Sequence, residues 1–92
     1  MQESSYKVPG GKLVKIKLQT SADTIGAVKI LGDFFLHPEE TILKIEESLI
    51  GIGAQERVIE ERISQTLKEF DATLVGVTAA DIAKTILMAW NQ

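Results

Sequence analysis

The sequence contains no cysteine, a single histidine, two prolines and only 5% aromatic residues. Without a thiol there is no disulfide framework, no thiolate metal site, no sulfur nucleophile and no cysteine-ligated iron–sulfur cluster. One histidine, His37, excludes a multi-histidine metal centre and leaves a Ser–His dyad a single residue to draw on. No apolar run approaches the roughly 18 residues that a membrane span requires. Met1–Gly11 is polar and lacks the apolar stretch of a secretion signal. These absences lead to the expectation of a cytoplasmic protein, neither secreted nor embedded in a membrane.

What is present is ordinary for one domain: 92 residues, 45% hydrophobic and 25% charged, with a formal charge of −3. A chain of this length buries roughly 60–65% of the surface its unfolded form exposes, enough for one core, so residues 1–92 read as one domain. The net charge conceals a division. Residues 1–31 hold five lysines (7, 12, 15, 17 and 29) against Glu3 and Asp23, giving +3, whereas the remaining residues sum to −6. Such asymmetry bears on the sign of a partner and on encounter rates.

Val14, Ile16 and Leu18 alternate with Lys15, Lys17 and Gln19 over Lys12–Thr20, the period of a strand with one wet face. Pro9-Gly10-Gly11 marks a turn before it, and Ser4–Val8 is the length of an edge strand or an ordered arm. Ala27–Leu31 resumes the alternation after a polar, turn-rich Ser21–Gly26, which predicts an antiparallel hairpin. The period then changes. Pro38-Glu39-Glu40 reads as a helix start, because proline suits the first helical position and acids suit the positive end of the helix dipole. Ile42, Ile45 and Leu49 carry its apolar stripe, and Gly51 and Gly53 end it. A second helix covers about Gln55–Phe70, with Ile59, Ile63, Leu67 and Phe70 inward. A third follows Thr78, whose hydroxyl pairs with Asp81 in a capping-box pattern, and buries Ile82, Ile86 and Trp90. Leu74–Val77 reads as a brief strand before that cap. The expected fold is α+β: a small antiparallel sheet of two or three strands followed by three helices packed on one face.

Catalytic groups are scarce. Beside Pro38, His37 reads as a capping or hydrogen-bonding residue. Glu46-Glu47 and Glu60-Glu61 are adjacent pairs that diverge by about 100° around a helix, so neither forms a carboxylate dyad. Gly51-Ile52-Gly53 carries two glycines of a dinucleotide fingerprint but has Glu56 where the third belongs, and it follows a helix instead of a strand. The same stretch lacks both the second glycine and the basic residues of a nucleic-acid clamp loop.

Two features remain. If the hairpin turns near residue 23, Lys17 lies opposite Lys29, and like charges directly across a strand pair repel. Either salt and solvent screen them, or an anionic partner relieves them. None of the aromatics falls among these lysines, which disfavours nucleic acid as that partner. In Gly32-Asp33-Phe34-Phe35, adjacent rings at a strand exit point to opposite sides. Either one ring fills a partner's pocket, or the chain turns and both cap the sheet–helix interface.

Taken in order, Tyr6-Lys7-Val8-Pro9-Gly10-Gly11-Lys12-Leu13, then Gly32-Asp33-Phe34-Phe35 ahead of Pro38-Glu39-Glu40, then Gly76-Val77-Thr78-Ala79-Ala80-Asp81-Ile82, the chain resembles the C-terminal accessory domain of lipoate-protein ligases. The likeness covers nearly the whole chain. A chain of this size looks like the form of that domain encoded separately, as the second subunit of a bipartite ligase. The resemblance implies a heterodimer with a large catalytic subunit, which holds lipoate, ATP, magnesium and the catalytic lysine. That complex activates lipoate to lipoyl-AMP and passes the lipoyl group to a lysine of an acceptor domain in a 2-oxoacid dehydrogenase or the glycine cleavage system. The accessory chain is implied to matter for adenylation without a catalytic residue, metal or cofactor of its own. Its fold is similar to that of iron–sulfur scaffold and sulfur-acceptor proteins, whose cysteine chemistry this sequence cannot perform. The expected contact residues are Tyr6, Lys7, Pro9, Gly10, Gly11 and Lys12 around the turn, with Asp33, Phe34 and Phe35 at the strand exit. The competing reading is a stand-alone module that binds an acidic protein or nucleic acid through its lysine face.

Overall fold

The computed structural model describes residues 1–92 and orders them as β1 (Gln2–Lys7), β2 (Leu13–Ser21), β3 (Thr24–Gly32), β4 (Phe35–His37), α1 (Thr41–Ser48), α2 (Glu56–Glu69), β5 (Thr73–Val75) and α3 (Ala79–Trp90). β1, β2 and β3 form an antiparallel sheet in that order, and β4 pairs antiparallel with β5 in a separate two-stranded sheet. The α+β expectation holds, and the edge strand or ordered arm expected over Ser4–Val8 is the edge strand β1, which begins at Gln2 and ends at Lys7. One face of the larger sheet is covered. Val14, Ile16 and Leu18 of β2, with Val28 and Ile30 of β3, enter a core completed by Ile45, Leu49, Ile59, Ile63, Ile82 and Ile86 from the helices. Each fully buried side chain of this size contributes roughly 1.5–3 kcal/mol. α3 lies across β1 and β2, α1 sits beside β3, and α2 packs on α1 and α3. The other sheet face, carrying Lys15, Lys17 and Lys29, is open to solvent.

The hairpin turn is tighter than the polar stretch implied. Ser21 pairs with Thr24, leaving Ala22 and Asp23 as a two-residue loop with φ of 51° and 64°. Positive φ at both positions is the turn whose twist matches the flanking strands. Gly26 therefore belongs to β3, where the register shifts opposite Gln19 and Thr20. Left-handed backbone costs an alanine about 1 kcal/mol, and asparagine tolerates it. Ala22→Asn is therefore expected to raise the melting temperature by about 2–4 °C, a gain of about 0.5 kcal/mol. An unchanged or lower thermal midpoint would contradict the assignment of the turn.

β3 is an edge strand, and α1 covers part of its edge: the Ile30 N–H donates to the Glu46 carboxylate at 2.8 Å. α1 begins at Thr41 and not at Pro38. His37 is drawn into β4 opposite Thr73, so Pro38–Glu40 must turn the chain first, and the Pro38 carbonyl accepts the Thr41 N–H at 3.1 Å. His37 is thus an exposed strand residue and not a helix cap. The glycines after α1 also have a structural use. Gly51, at φ +88°, donates its N–H to the Ile25 carbonyl at 2.8 Å, and the Ile52 carbonyl accepts the Ile25 N–H at 2.9 Å, tying the α1–α2 loop to the start of β3. Phe70, expected inward, is exposed, because α2 stops at Glu69 and the chain reverses through Asp71 at φ 49°. The capping box of α3 forms as its spacing predicts. The Thr78 hydroxyl accepts the Asp81 N–H at 3.1 Å, and the Asp81 carboxylate accepts the Thr78 N–H at 2.8 Å.

Candidate functional site

The three sequence segments separated by tens of residues meet at one end of the molecule. The Lys12 N–H donates to the Gly76 carbonyl at 2.9 Å, joining the β1–β2 turn to the segment before α3. The Leu13 N–H donates to the Asp33 carboxylate at 2.7 Å, and the Asp33 N–H returns to the Leu13 carbonyl at 3.3 Å, joining the same turn to the exit of β3. Close packing here demands glycine at three places, the first being Gly11, where a Cβ would overlap the Gly76 carbonyl oxygen. Gly32 has φ +151°, and a Cβ there would overlap the Leu13 carbonyl oxygen and stand 2.9 Å from the Phe34 ring. Gly76 has φ +99°, and its Cβ would stand 2.6 Å from Cγ of Lys12. The Lys12 stem lies where that side chain would be.

The expected contact residues divide accordingly. Asp33 is exposed, but its carboxylate accepts the Leu13 N–H and clamps the junction from its surface. The Lys7 ammonium donates to the Val8 carbonyl at 3.2 Å and to the Gly11 carbonyl, so it holds the turn closed. Tyr6 is half-buried on the inner side of β1, where Lys84 Nζ sits 4.5 Å from the ring centroid and donates to the phenol oxygen at 3.3 Å. Phe34 is half-buried and packs against the core. Gly11 is half-buried at the contact with Gly76. Six of the nine are exposed: Lys7 and Asp33, whose charged ends are engaged by backbone groups of the turn and the junction, and Pro9, Gly10, Lys12 and Phe35.

Phe35 is 70% exposed, and its cross-strand partner Val75 is 55% exposed. The sheet pairing places these two apolar side chains side by side on the open face of β4–β5, with a shallow groove to either side. One groove, of about 330 Å³, is bordered by Leu31, Phe34, Phe35, Glu39 and Ile42. The other, of about 450 Å³, runs between Pro9-Gly10-Gly11 and the Val75–Thr78 segment, with Asp81 at its end. Val75 was missed by sequence reasoning, since a three-residue strand is too short for alternation to show which side chain faces out. Its only signal is its pairing with Phe35, which exists in three dimensions alone.

This arrangement suits contact more than bond chemistry. The α3 N-terminus beside the second groove carries its own capping box, which engages the Thr78 and Asp81 N–H groups and sets the Asp81 carboxylate against the positive end of the helix. No three His, Asp or Glu side chains are grouped to hold a metal ion. An apolar pair exposed beside a rigid glycine-rich turn is instead the composition of a docking ridge.

Comparison with known proteins agrees with the three converging segments. No curated protein sequence matches the chain. Among solved structures it is similar to a chain described in a structural analysis of an archaeal lipoylation system, a bipartite lipoate protein ligase and its E2 lipoyl domain from Thermoplasma acidophilum. The TM-score is 0.72 at 24% sequence identity, over 92% of this chain and 90% of that one, which establishes a shared fold. Residues 2–86 match the model of the bacterial lipoate protein ligase C-terminus, a span that includes all three converging segments, and the chain belongs to that family.

Proposed function

We propose that this chain is the accessory subunit of a two-chain lipoate protein ligase and promotes the activation of lipoate to lipoyl-AMP by docking on a large catalytic subunit. The observation that carries this reading is the junction itself. Three distant segments are locked together by backbone hydrogen bonds so that the Phe35–Val75 pair and the Pro-Gly-Gly turn project from one end. The bipartite assembly described for the Thermoplasma acidophilum system, whose matched chain is nearly the same length, supports it further.

Lipoate, ATP and magnesium are assigned to the catalytic subunit, because the residues of this junction do not fit them. The carboxylates of Asp33 and Asp81 each accept a backbone N–H of this chain, and the Lys7 ammonium is turned onto backbone carbonyls. The accessory subunit acts by position. A rigid ridge that seats against the catalytic subunit excludes water from the nucleotide site and favours its closed conformation. Lys12, with its stem on Gly76 and its ammonium exposed at the base of the turn, supplies positive charge at the rim of that contact. Lipoyl acceptor domains are served by the assembled pair.

The reconstitution is direct. A catalytic subunit lacking this domain, mixed with the chain, lipoate and ATP, is expected to form lipoyl-AMP at a rate at least about tenfold above the catalytic subunit alone, and the chain alone to form none. Lipoyl-AMP from the isolated chain, or no gain on mixing, would refute the reading.

A further inference from the structure

The open face of the larger sheet is not used by the docking ridge, yet it groups three lysines on two adjacent strands. Lys15, Lys17 and Lys29 are all exposed there. The register places Lys17 directly opposite Lys29, with Glu3 of β1 across from Lys17 on the other side. Glu3 offsets part of the repulsion, but none of the three ammoniums has a carboxylate within 4 Å; the ion pair the molecule does form, Arg57–Glu61 at 3.4 Å, lies on α2. The neighbouring row is Ser5, Lys15 and Leu31, and the large apolar residues of the face are Leu31, 41% exposed, and the half-buried Leu13. A like-charged pair held in register and left unpaired is complementary to an acidic surface.

We infer that this face is a docking surface for the protein that accepts the lipoyl group, through an acidic patch on that acceptor. The inference rests on the ligase reading above. The two surfaces differ in the way that lasting and passing contacts differ. An apolar ridge suits a subunit that stays bound, since permanent interfaces are the more hydrophobic ones. A lysine face suits a protein that must arrive and leave at every turnover, since surface charge accelerates encounter and contributes little to residence time. Nucleic acid is the poorer fit. Stacking platforms need exposed aromatics, and no aromatic residue lies on the outer face; Tyr6, the one aromatic of the sheet, is on the inner side.

The test replaces the three charges without creating new repulsion beside Glu3. In the reconstituted pair, K15Q/K17Q/K29Q is expected to raise the KM for an apo E2 lipoyl domain about tenfold, leaving lipoyl-AMP formation and the saturating transfer rate unchanged. The KM of the parent should rise with salt, and that of the triple variant should not. Because the substitution removes the Lys17–Lys29 repulsion, its melting temperature should be no lower than the parent's. K44Q/R57Q/K68Q, which makes the same change in net charge on the helical side, should leave the KM within about twofold. An unchanged KM in the sheet variant, or an equal rise in both triples, overturns the inference. Loss of lipoyl-AMP formation in the sheet variant overturns it in favour of contact with the catalytic subunit. Oligouridylate held by the parent at a salt concentration that releases the lipoyl domain overturns it in favour of nucleic acid. No lipoyl-AMP from the unmodified pair refutes the ligase reading, and the acceptor assignment with it.

Discussion

Phe35→Ala is expected to lower lipoyl-AMP formation by the reconstituted pair at least about thirtyfold while leaving the melting temperature of the isolated chain within about 2 °C. Truncating an aromatic anchor at an interface costs about 2 kcal/mol or more, whereas a side chain that is 70% exposed adds little to folding. Phe34→Ala serves as the contrast. Its ring packs against the core beside Gly32, so its loss should lower the melting temperature, and adenylation should fall only as far as folding does. The half-reactions separate the interpretation further. Transfer from supplied lipoyl-AMP to an acceptor should survive Phe35→Ala at saturating acceptor. If Phe35→Ala destabilises the chain as much as Phe34→Ala, or if both half-reactions fall equally, Phe35 is not the anchor of an adenylation-promoting contact.

Gly32→Ala should have the largest effect on stability of any change at the junction, about 3–5 kcal/mol. The side chain is forced into a backbone region that costs 1–3 kcal/mol, where it overlaps the Leu13 carbonyl and the Phe34 ring. Relief of that overlap separates Leu13 from Asp33 and breaks two hydrogen bonds, one of them to a carboxylate. A loss of that size lowers the melting temperature by at least about 12 °C. Gly10→Ala isolates the steric part of the argument. Gly10 also has positive φ, at +70°, but a Cβ there meets nothing within 4 Å, so the cost should stay near 1 kcal/mol. Equal destabilisation by the two substitutions would show that backbone angle, and not the close approach of β3 to β2's first residue, governs the site.

The elements were legible wherever a pattern repeated. Val14, Ile16 and Leu18 declare β2 because three alternations leave one phase open, and Thr78 with Asp81 declares the start of α3 because the cap is a local hydrogen-bond arrangement. The errors fall where tertiary pairing overrides a local signal. His37-Pro38-Glu39-Glu40 has the chemistry of a helix start, yet pairing with Thr73 keeps His37 in a strand and moves the helix to Thr41. Charge was misread for the same reason. Lys7 looks free in the sequence, but the turn folds its ammonium back onto the Gly11 carbonyl, and Asp33 looks like a free surface acid until the Leu13 N–H is found on it. Adjacency of Phe34 and Phe35 left two arrangements open, one ring turned outward or both capping the sheet–helix interface, and only the β4–β5 register shows that Phe35 is turned outward with Val75 beside it.

Displaying Phe35 and Val75 carries a hazard that the carboxylate of Glu46 helps to contain. Sticky surface next to an open strand edge is the usual seed of runaway sheet growth, in which one copy adds its backbone to the next. At Ile30 the outward N–H of β3 is already engaged by Glu46, so an intruding strand would have to evict a charged group before it gained a hydrogen bond. The lysines impose a second barrier, because joining two such edges would bring both lysine faces into a single sheet. Between them, these residues let the molecule display Phe35 and Val75 and still resist polymerising with its own kind.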